Sequence, residues 1–434
     1  MNIFILIYPP ILLYALKNYH RAFLIYAVLR LFLTNFVPLF AGPPTINMKP
    51  FMDFSMLMLV AINYFDKGKN TIVSAHDQFP LKKPFFIYSV SLLLSATLFP
   101  VIPIFKAISN TSQNILSTFI FVYLFWRELK NPQDIRFFIK GLVIVFSIAI
   151  LYGFFERFNG FSNPLIDYEL SLNLAERDNL TFRYSDTDRG GLGRVQSIFD
   201  NALMCSFSVG VVFAFFYYIN LRYKKIWNSF ALIKISFFLG LLFLLLFSNS
   251  RGGIVYLGVS LLFILKFKNI LRLALFLPFL VVLFYDLIEP YIVMLSAIFD
   301  IASSKAGGSS LTLRILQFSG VTEIVKSSPW FGCGPLTLEH WQAQRPDLVL
   351  LGIESIWLHL LLGQGIVGIA THIYLLYSLI KLGINKSKRY IIGITIAFII
   401  VSTATIGYKL DFFMVLLLII YRLELWSNNQ SFFV

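Results

Sequence analysis

The sequence predicts an all-α fold, a polytopic bundle of about 12–14 transmembrane helices with two large loops outside the membrane. Apolar residues make up 58% of the 434 residues, charged residues only 13%, and the mean hydropathy is +0.76. A soluble domain carries roughly a quarter of its residues as charged groups. Only α-helices and closed barrels span lipid, and the apolar runs, such as 85–105, are continuous and do not alternate with period two.

The individual helices are predicted from apolar runs that end at charges or at Gly and Pro clusters. Each run satisfies its backbone hydrogen bonds internally, as a segment in lipid must do. The predicted helices lie at 3–16, 22–40, 51–65, 85–105, 112–127, 137–155, 198–220, 232–249, 252–266, 270–286, 353–377, 389–407 and 409–426.

The orientation follows from the Lys and Arg residues of alternate loops, because cytoplasmic loops carry the excess of basic residues. The short loops of one set contain almost no Lys or Arg; examples of the few are Lys49, Lys106 and Lys409. The other set, predicted to be cytoplasmic, contains Lys17, Arg21, Lys67, Lys69, Lys82, Lys83, Lys130, Arg136, Arg222, Lys224, Lys225, Lys266, Lys268, Lys381, Lys386, Lys388 and Arg389.

Two long loops then fall on the outer side, and they divide the chain. The second loop includes a helical pattern at 311–326, with Leu313, Leu316, Val321, Ile324 and Val325 near 3.6-residue spacing, which predicts an amphipathic helix on the outer surface. The predicted regions are transmembrane helices at 1–155, a first outer loop at 156–197, transmembrane helices at 198–286, a second outer loop at 287–352 and transmembrane helices at 353–434.

The net charge of +14 does not indicate a nucleic-acid partner, because the basic residues lie in short loops between apolar runs. The two cysteines, Cys205 and Cys333, are in different contexts and predict neither a disulfide framework nor a zinc site. The D-x-D at Asp186 and Asp188 resembles the metal-binding pairs of nucleotide-sugar enzymes. Such triplets are common in acidic loops, so we predict no metal and no cofactor.

Three arginines are the main candidates for a functional site on the outer side. Arg194 ends the first outer loop, Arg251 lies in a break between two apolar runs, and Arg314 lies on the amphipathic helix. A guanidinium group is well suited to bidentate phosphate binding, and a charge at membrane depth usually faces a polar cavity or a partner. The alternative is that these side chains reach lipid headgroups or pair with acids in the loops.

Other polar residues allow two interpretations each. Glu354 opens a helix at its outer end, where an acid is favoured by the helix dipole alone, but where a general base beside the arginines would also lie. His340 and His359 are interpreted as structural or solvated residues. Arg30 lies within an apolar run and is expected to pair inside the bundle, with its role left open.

These features, in this order, resemble the O-antigen polymerase and O-antigen ligase family of bacterial envelope proteins. The resembling stretches are GRVQSIFDNALMCSF at 193–207, SNSRGGIVYLGVSLLFI at 248–264, and the two that run from 311 to 335 and from 354 to 368. The family motifs fall on Arg194, on Ser250–Arg251–Gly252, on Arg314, on Pro329, Gly332 and Gly334, and on Gly365 and Gly368.

The resemblance implies a GT-C-like fold in the bacterial inner membrane and a glycosyltransferase that uses undecaprenyl-pyrophosphate-linked oligosaccharides. Arg194, Arg251 and Arg314 would bind the pyrophosphate, and Glu354, with Arg251, would act in catalysis. The resemblance also implies contact with membrane lipids and a partner protein that sets chain length.

One departure from the ligase pattern favours a polymerase. Ligases of the family resemble His followed by Asn, Ser or Gln, then nine residues, then Gly-x-x-Gly. This sequence has Glu354–Ser355 before Gly365–Gly368, as many polymerases do. A ligase to lipid A-core and a flippase for the same lipid-linked glycan remain the alternatives; a flippase would need charges through both leaflets, whereas most candidates here lie on the outer side.

Overall fold

The computed structural model shows an all-α protein in the parts of the chain that it describes. These parts are residues 4–33, 37–40, 46–66, 78–172, 188–189, 192–266, 311–335, 337–350, 353, 355–385, 388–404 and 409–427, with isolated residues between 268 and 289. Most of the predicted helix at 270–286 and most of the residues around Asp186 therefore fall outside the described structure.

The α-helices are α1 (Phe4–Ile7), α2 (Pro9–Leu29), α3 (Met48–Asp66), α4 (Lys82–Leu98), α5 (Ile104–Ile115), α6 (Phe121–Glu128), α7 (Pro132–Phe158), α8 (Pro164–Leu172), α9 (Ala202–Arg222), α10 (Ala231–Phe247), α11 (Arg251–Ile264), α12 (Leu311–Val325), α13 (Thr337–Gln344), α14 (Ile356–Asn385), α15 (Arg389–Ala404) and α16 (Leu410–Ser427). A π-helical segment, Leu116–Ile120, joins α5 to α6, and a 3-10 turn, Arg30–Phe32, follows α2. Two short antiparallel ribbons pair β1 (Pro38–Phe40) with β2 (Ile46–Asn47), and β3 (Asp188–Arg189) with β4 (Leu192–Gly193).

The helix boundaries depart from the predicted ones where local chemistry interrupts or extends an apolar run. The predicted first and second helices join into α2, which is bent at Asn18, where the backbone leaves helical geometry. α4 ends at Leu98, two residues before Pro100, because proline disfavours helical geometry in the residue before it and removes an N–H donor. The helix α12 ends within one residue of the predicted boundary.

Three of the described helices are long and apolar enough to cross a membrane, namely α7, α9 and α14. Three shorter apolar helices lie within 231–247, 251–264 and 389–403. α9 packs against both α10 and α11, and α11 packs against α15, which in turn contacts α14. The apolar helices therefore surround one another, as expected of a membrane protein.

The helix α7 shows how the bundle presents apolar side chains to its surroundings. Ile144, Ile148 and Leu151 are 61%, 53% and 70% exposed and follow one another at helical spacing along one face. Phe138 and Phe146 on the opposite face are completely buried. A continuous exposed apolar stripe on a long helix is costly in water and favourable in lipid.

Charged residues from the predicted cytoplasmic loops meet at one end of the bundle. The buried Glu424 forms ion pairs with Arg222 Nε at 3.0 Å and Lys388 Nζ at 2.5 Å, and both cations belong to the predicted cytoplasmic set. Lys409, of the predicted outer set, instead donates to the Leu31 carbonyl at 2.5 Å and lies 3.9 Å from Asp200. This grouping agrees with the alternation of loops expected from the charge pattern.

A buried ion network confirms the expectation that Arg30 pairs inside the bundle. Its guanidinium donates to both carboxylate oxygens of Asp53, at 2.7 and 3.1 Å, and to Asp411. It also donates to the carbonyl of Ser117 in the π-helical segment and lies 4.1 Å above the ring of Phe121. Arg30 therefore joins α2, α3, α16 and the α5–α6 connection through one side chain.

Substitution of Arg30 by Met is expected to destabilise the protein strongly. Asp53 and Asp411 would remain buried without their cation, and breaking a buried pair in this way costs about 3–5 kcal/mol. The free energy of unfolding, measured by SDS titration in mixed micelles, should fall by that amount.

Lys326→Met is the control, because Lys326 pairs with Glu323 on an exposed surface. Its free energy of unfolding should equal that of the wild type. An Arg30→Met protein as stable as the wild type would contradict the assignment of Arg30 as the central cation of the network.

Candidate functional site

Arg194 lies in a short irregular segment, 193–197, that leads into α9. The Nε of Arg194 donates to the carbonyl of Ser248 at 3.2 Å, and the side chain is 1% exposed. Val195 N–H donates to the carbonyl of Phe247 at 2.8 Å, and the Asn249 side-chain amide donates to the carbonyl of Gly193 at 2.6 Å. The structure thus brings the first predicted site residue directly onto the break before Arg251.

The break itself consists of three residues, 248–250, between α10 and α11. Asn249 adopts a positive φ of 47°, and Arg251 is the first residue of α11. Orphan N–H groups and the dipole at a helix N-terminus favour anions, so a guanidinium at this position adds to an electropositive helix end. The predicted start of a new helix at this point is confirmed.

Gly253 lies at a close crossing of two helices. A Cβ atom there would lie 2.2 Å from the carbonyl oxygen of Ser206, and one at Gly210 would lie 2.7 Å from the carbonyl of Gly253. The two glycines therefore allow α9 and α11 to cross at short distance. The Ser206 hydroxyl strengthens the crossing by donating to the carbonyl of Ser250 at 3.1 Å.

Arg314, the third predicted arginine, is partly exposed on α12. This helix packs against α14 through Val321, Ile324 and Val325, which are buried as the periodicity predicted. Leu316 differs from the prediction, since it is 47% exposed, beside Ile315 and Phe318 at 60% and 56%. The exposed face of α12 is therefore apolar as well, which suits a helix that lies against lipid.

The two glycine motifs of the second half of the chain form one structural unit. α14 is broken at Gly365, where φ is 63° and ψ is −157°, and the segment 329–334 lies against this break. Ile366 N–H and Val367 N–H donate to the carbonyls of Pro329 and Trp330, at 2.9 and 3.0 Å. In the other direction, Cys333 N–H and Gly334 N–H donate to the carbonyls of Leu362 and Gly363, at 2.8 and 3.0 Å.

This docking supplies the hydrogen bonds that an interrupted helix cannot make for itself. Carbonyls just before a break and N–H groups just after it are orphaned, and lipid offers them no partners. Ser95 on α4 adds a side-chain bond to the carbonyl of Phe331 at 2.7 Å and another to that of Gly363. Segment 329–334, which belongs to the second predicted outer loop, is therefore fixed to α14 and α4.

Glu354 lies outside the described residues, so its predicted position remains a prediction. Its neighbours are placed: Ile353 is buried, and α14 begins two residues after Glu354, at Ile356. The ring Nε2 of His359 lies 3.0 Å from the carbonyl of Ile353, which agrees with a structural interpretation of this histidine.

Two other acidic residues of this region, Glu169 and Asp200, are largely neutralised. Burial raises the pKa of Glu169, on α8, to about 8; the nearby Asp200 raises the pKa further and Lys409 opposes the increase. Glu169 therefore keeps its proton at neutral pH, and Asp200 has Lys409 as its counter-ion. The positive charge of the arginines is left without strong opposition from these two carboxyl groups.

Three further residues of this region were not singled out in the sequence. Glu156 and Asn163 bind the backbone of the Arg194 segment, and the guanidinium of Arg157 lies 4.7 Å from the ring centroid of Phe161 and 5.3 Å from that of Phe247. Their signal in the sequence is weak, because polar residues at the end of an apolar run are common. The one sequence signal that could have identified Glu156 and Arg157 is a Glu-Arg pair in the last turn of a long apolar helix.

Gly365→Ala is expected to disrupt the contact between segment 329–334 and α14. The new Cβ would lie 2.5 Å from the carbonyl carbon of Trp330 and 2.6 Å from the nitrogen of Gly332, at a backbone φ of 63°. Strain of this kind costs on the order of 1–3 kcal/mol before any clash is counted. Limited proteolysis should cut the second outer loop faster than in the wild type, and the thermal midpoint should fall.

Gly258→Ala is the matched control, because a Cβ at this helical position of α11 meets no atom within 4 Å. Alanine favours a helix over glycine, so proteolysis should be unchanged and the thermal midpoint equal or higher. Equal behaviour of the two variants would show that the close contact at Gly365 is not needed.

Comparison with known proteins gives a match to the part of the chain that contains most of the candidate site. A family model described as O-antigen ligase matches residues 235–373, which include Arg251, Arg314 and the break at Gly365. None of the curated proteins matches the sequence. The segment with Arg194 precedes the matched region and is connected to it by the hydrogen bonds described above. The match is consistent with the chain being a member of the O-antigen polymerase/ligase family.

Proposed function

We propose that the chain is an O-antigen polymerase of the bacterial inner membrane. It would transfer a growing glycan from its undecaprenyl pyrophosphate onto the sugar of one lipid-linked repeat unit, at the periplasmic face. The observation that carries the proposal is the contact between the Arg194 segment and the break before Arg251. It collects two arginines and a helix N-terminus at one end of an apolar bundle, where a lipid-linked anion would arrive.

The chemistry asked of this site is limited, because pyrophosphate is already a good leaving group. The protein must hold two lipid-linked substrates in line and neutralise the charge that develops on the departing pyrophosphate. Guanidinium groups of Arg194, Arg251 and Arg314 would bind its oxygens in a bidentate manner, so the reaction needs no metal ion. The prenyl chains would lie against the apolar helices and the sugars against the outer loops.

Glu354 would accept the proton of the attacking sugar hydroxyl, or orient that hydroxyl for attack. The bond from the anomeric carbon to the pyrophosphate breaks as the bond to the hydroxyl oxygen forms, and the proton passes to the carboxylate. This single displacement inverts the configuration at the anomeric carbon. Glu354 in place of the histidine of ligase-like sequences supports the polymerase over the ligase.

The ligase reaction is the second candidate, since the matching family carries that description. A ligase would use the same donor and pyrophosphate site but lipid A-core as acceptor. Cells that lack the protein distinguish the two activities. Loss of a polymerase leaves the core capped with a single repeat unit, whereas loss of a ligase leaves the core bare and would overturn the proposal.

Arg251→Lys is expected to reduce elongation of a defined lipid-linked repeat unit by at least about 100-fold, although lysine keeps the charge. The ammonium group lacks the planar fork that binds two phosphate oxygens. The assay is the ladder of glycan lengths made by purified protein in nanodiscs, with EDTA present and absent. Full activity of Arg251→Lys would contradict the bidentate role.

Arg345→Lys serves as the control in the same assay. Arg345 belongs to the second predicted outer loop, but both of its bonding nitrogens are held by Asp347, at 2.8 and 2.7 Å on the surface. Because exposed pairs contribute little, its activity should stay within about twofold of the wild type.

Glu354→Gln is expected to slow elongation while binding of the lipid-linked donor is kept, because the amide cannot accept a proton but leaves the arginines intact. A positioned general base typically contributes about 10²–10⁴-fold. Chain assembly at the wild-type rate by this variant would remove Glu354 from catalysis and leave the arginine site standing.

A further inference from the structure

We propose that Glu156 is a positioning residue that holds Arg194 in place for the pyrophosphate. Its carboxylate, in the last turn of α7, accepts the backbone N–H of Ser197 at 2.6 Å and that of Gln196 at 3.1 and 3.2 Å. The side chain is completely buried. The inference rests on the proposed function for the identity of the anion. The hydrogen bonds from Glu156 to Gln196 and Ser197, which we name the Glu156 clamp, are a feature of the structure.

The position of Glu156 is energetically unfavourable for a carboxylate, so stabilisation of α7 alone does not explain its presence there. The C-terminal end of a helix carries partial negative charge, and a buried carboxylate loses its hydration. No cation of the described residues forms an ion pair with it. Two backbone donors of segment 193–197 are its compensation, and those donors would be orphaned if the site were apolar. Glu156 therefore fixes the conformation of segment 193–197, although a carboxylate at this position does not stabilise α7.

Two further bonds, one to α7 and one to Asn163 in the connection between α7 and α8, act on the same residue, Ser197. Its carbonyl accepts the side-chain amide of Asn163 at 2.8 Å, and its hydroxyl donates to the carbonyl of Ala149 at 2.6 Å. Asn163 is itself oriented by the hydroxyl of Tyr152, at 3.0 Å. Ser197 adopts a positive φ of 56°, a strained conformation for a residue other than glycine that persists only when its surroundings impose it.

The other end of the segment touches the functional break. Gly193 and Val195 hydrogen bond to Asn249 and Phe247, and Arg194 bonds to Ser248. Segment 193–197 is therefore a bridge, with α7 on one side and the residues before Arg251 on the other. Gln196 is only two residues from Arg194. Loss of the Glu156 clamp would therefore shift the backbone at Gln196 and, with it, the side chain of Arg194.

The test uses Glu156→Gln in full-length protein in nanodiscs. Glutamine keeps the size of the side chain, but it removes the negative charge, and its NH2 group takes the place of Oε1, which accepts the N–H of Gln196 at 3.1 Å, so this N–H faces a donor. Hydrogen exchange of the amides of Gln196 and Ser197 should accelerate. The affinity for undecaprenyl pyrophosphate, used as the probe, should fall by about tenfold as Arg194 loses its orientation.

A double-mutant cycle with Arg194→Lys separates positioning from general destabilisation. If Glu156 acts through Arg194, Glu156→Gln should change probe affinity by less than about twofold in the Arg194→Lys background. Glu424→Gln is the control, since Glu424 is an equally buried carboxylate at the opposite end of the bundle. Its effect on probe affinity should be small and should add to that of Arg194→Lys.

Unchanged probe affinity in Glu156→Gln, or an effect that multiplies with that of Arg194→Lys, would overturn the positioning role. Unchanged exchange at Gln196 and Ser197 would overturn the clamp. Failure of the proposed function has a different signature. In that case the wild-type protein itself would not bind the probe, while exchange at the two amides would still respond to Glu156→Gln.

Discussion

The constraint on which the rest of the structure depends is that lipid supplies no hydrogen bonds to the backbone. Every interruption of an apolar helix must therefore find its partners within the protein. At Gly365 these partners are the carbonyls and N–H groups of segment 329–334. At residues 248–250 they come from segment 193–197. Both interruptions coincide with motifs of the polymerase/ligase family, so the irregular backbone and the candidate site occupy the same places.

The arginines of the bundle also need partners within the protein, because lipid offers none to a charged side chain. Arg30 is a buried cation with two carboxylates, a backbone carbonyl and an aromatic ring around it, and it links separate helices. Arg251 lies instead at the first position of α11, and Arg194 donates to the carbonyl of Ser248 at the end of α10, so both lie at the break between these helices. The first arrangement suits a structural role. The second suits the binding of an anion that arrives from the membrane.

Much of the candidate site could be predicted, because single residues of an unusual type in an apolar run indicate a functional or structural site. An arginine inside an apolar run is rare, and glycines spaced within a helix indicate a break or a close crossing. Arg251 was identified on this basis, Arg194 from its position just before an apolar run, and Gly365 only from its match to a motif of the resembling family. Glu156, Asn163 and Ser197 were missed, because side chains that bind a backbone segment 34 to 41 residues away leave no periodic pattern.

The sequence by itself determined that this is an all-α membrane protein, because composition and the lengths of apolar runs decide how a chain meets lipid. It also determined the interruption before Arg251, because a charge and two glycines act locally there, whereas the break at Gly365 fell inside the predicted helix 353–377. Only the tertiary structure decided which interruptions meet: that segment 329–334 docks at Gly365, and that Glu156 and Ser248 hold the Arg194 segment from opposite sides. These contacts join residues far apart in the chain, and their partners are backbone groups, which are the same for nearly every residue type.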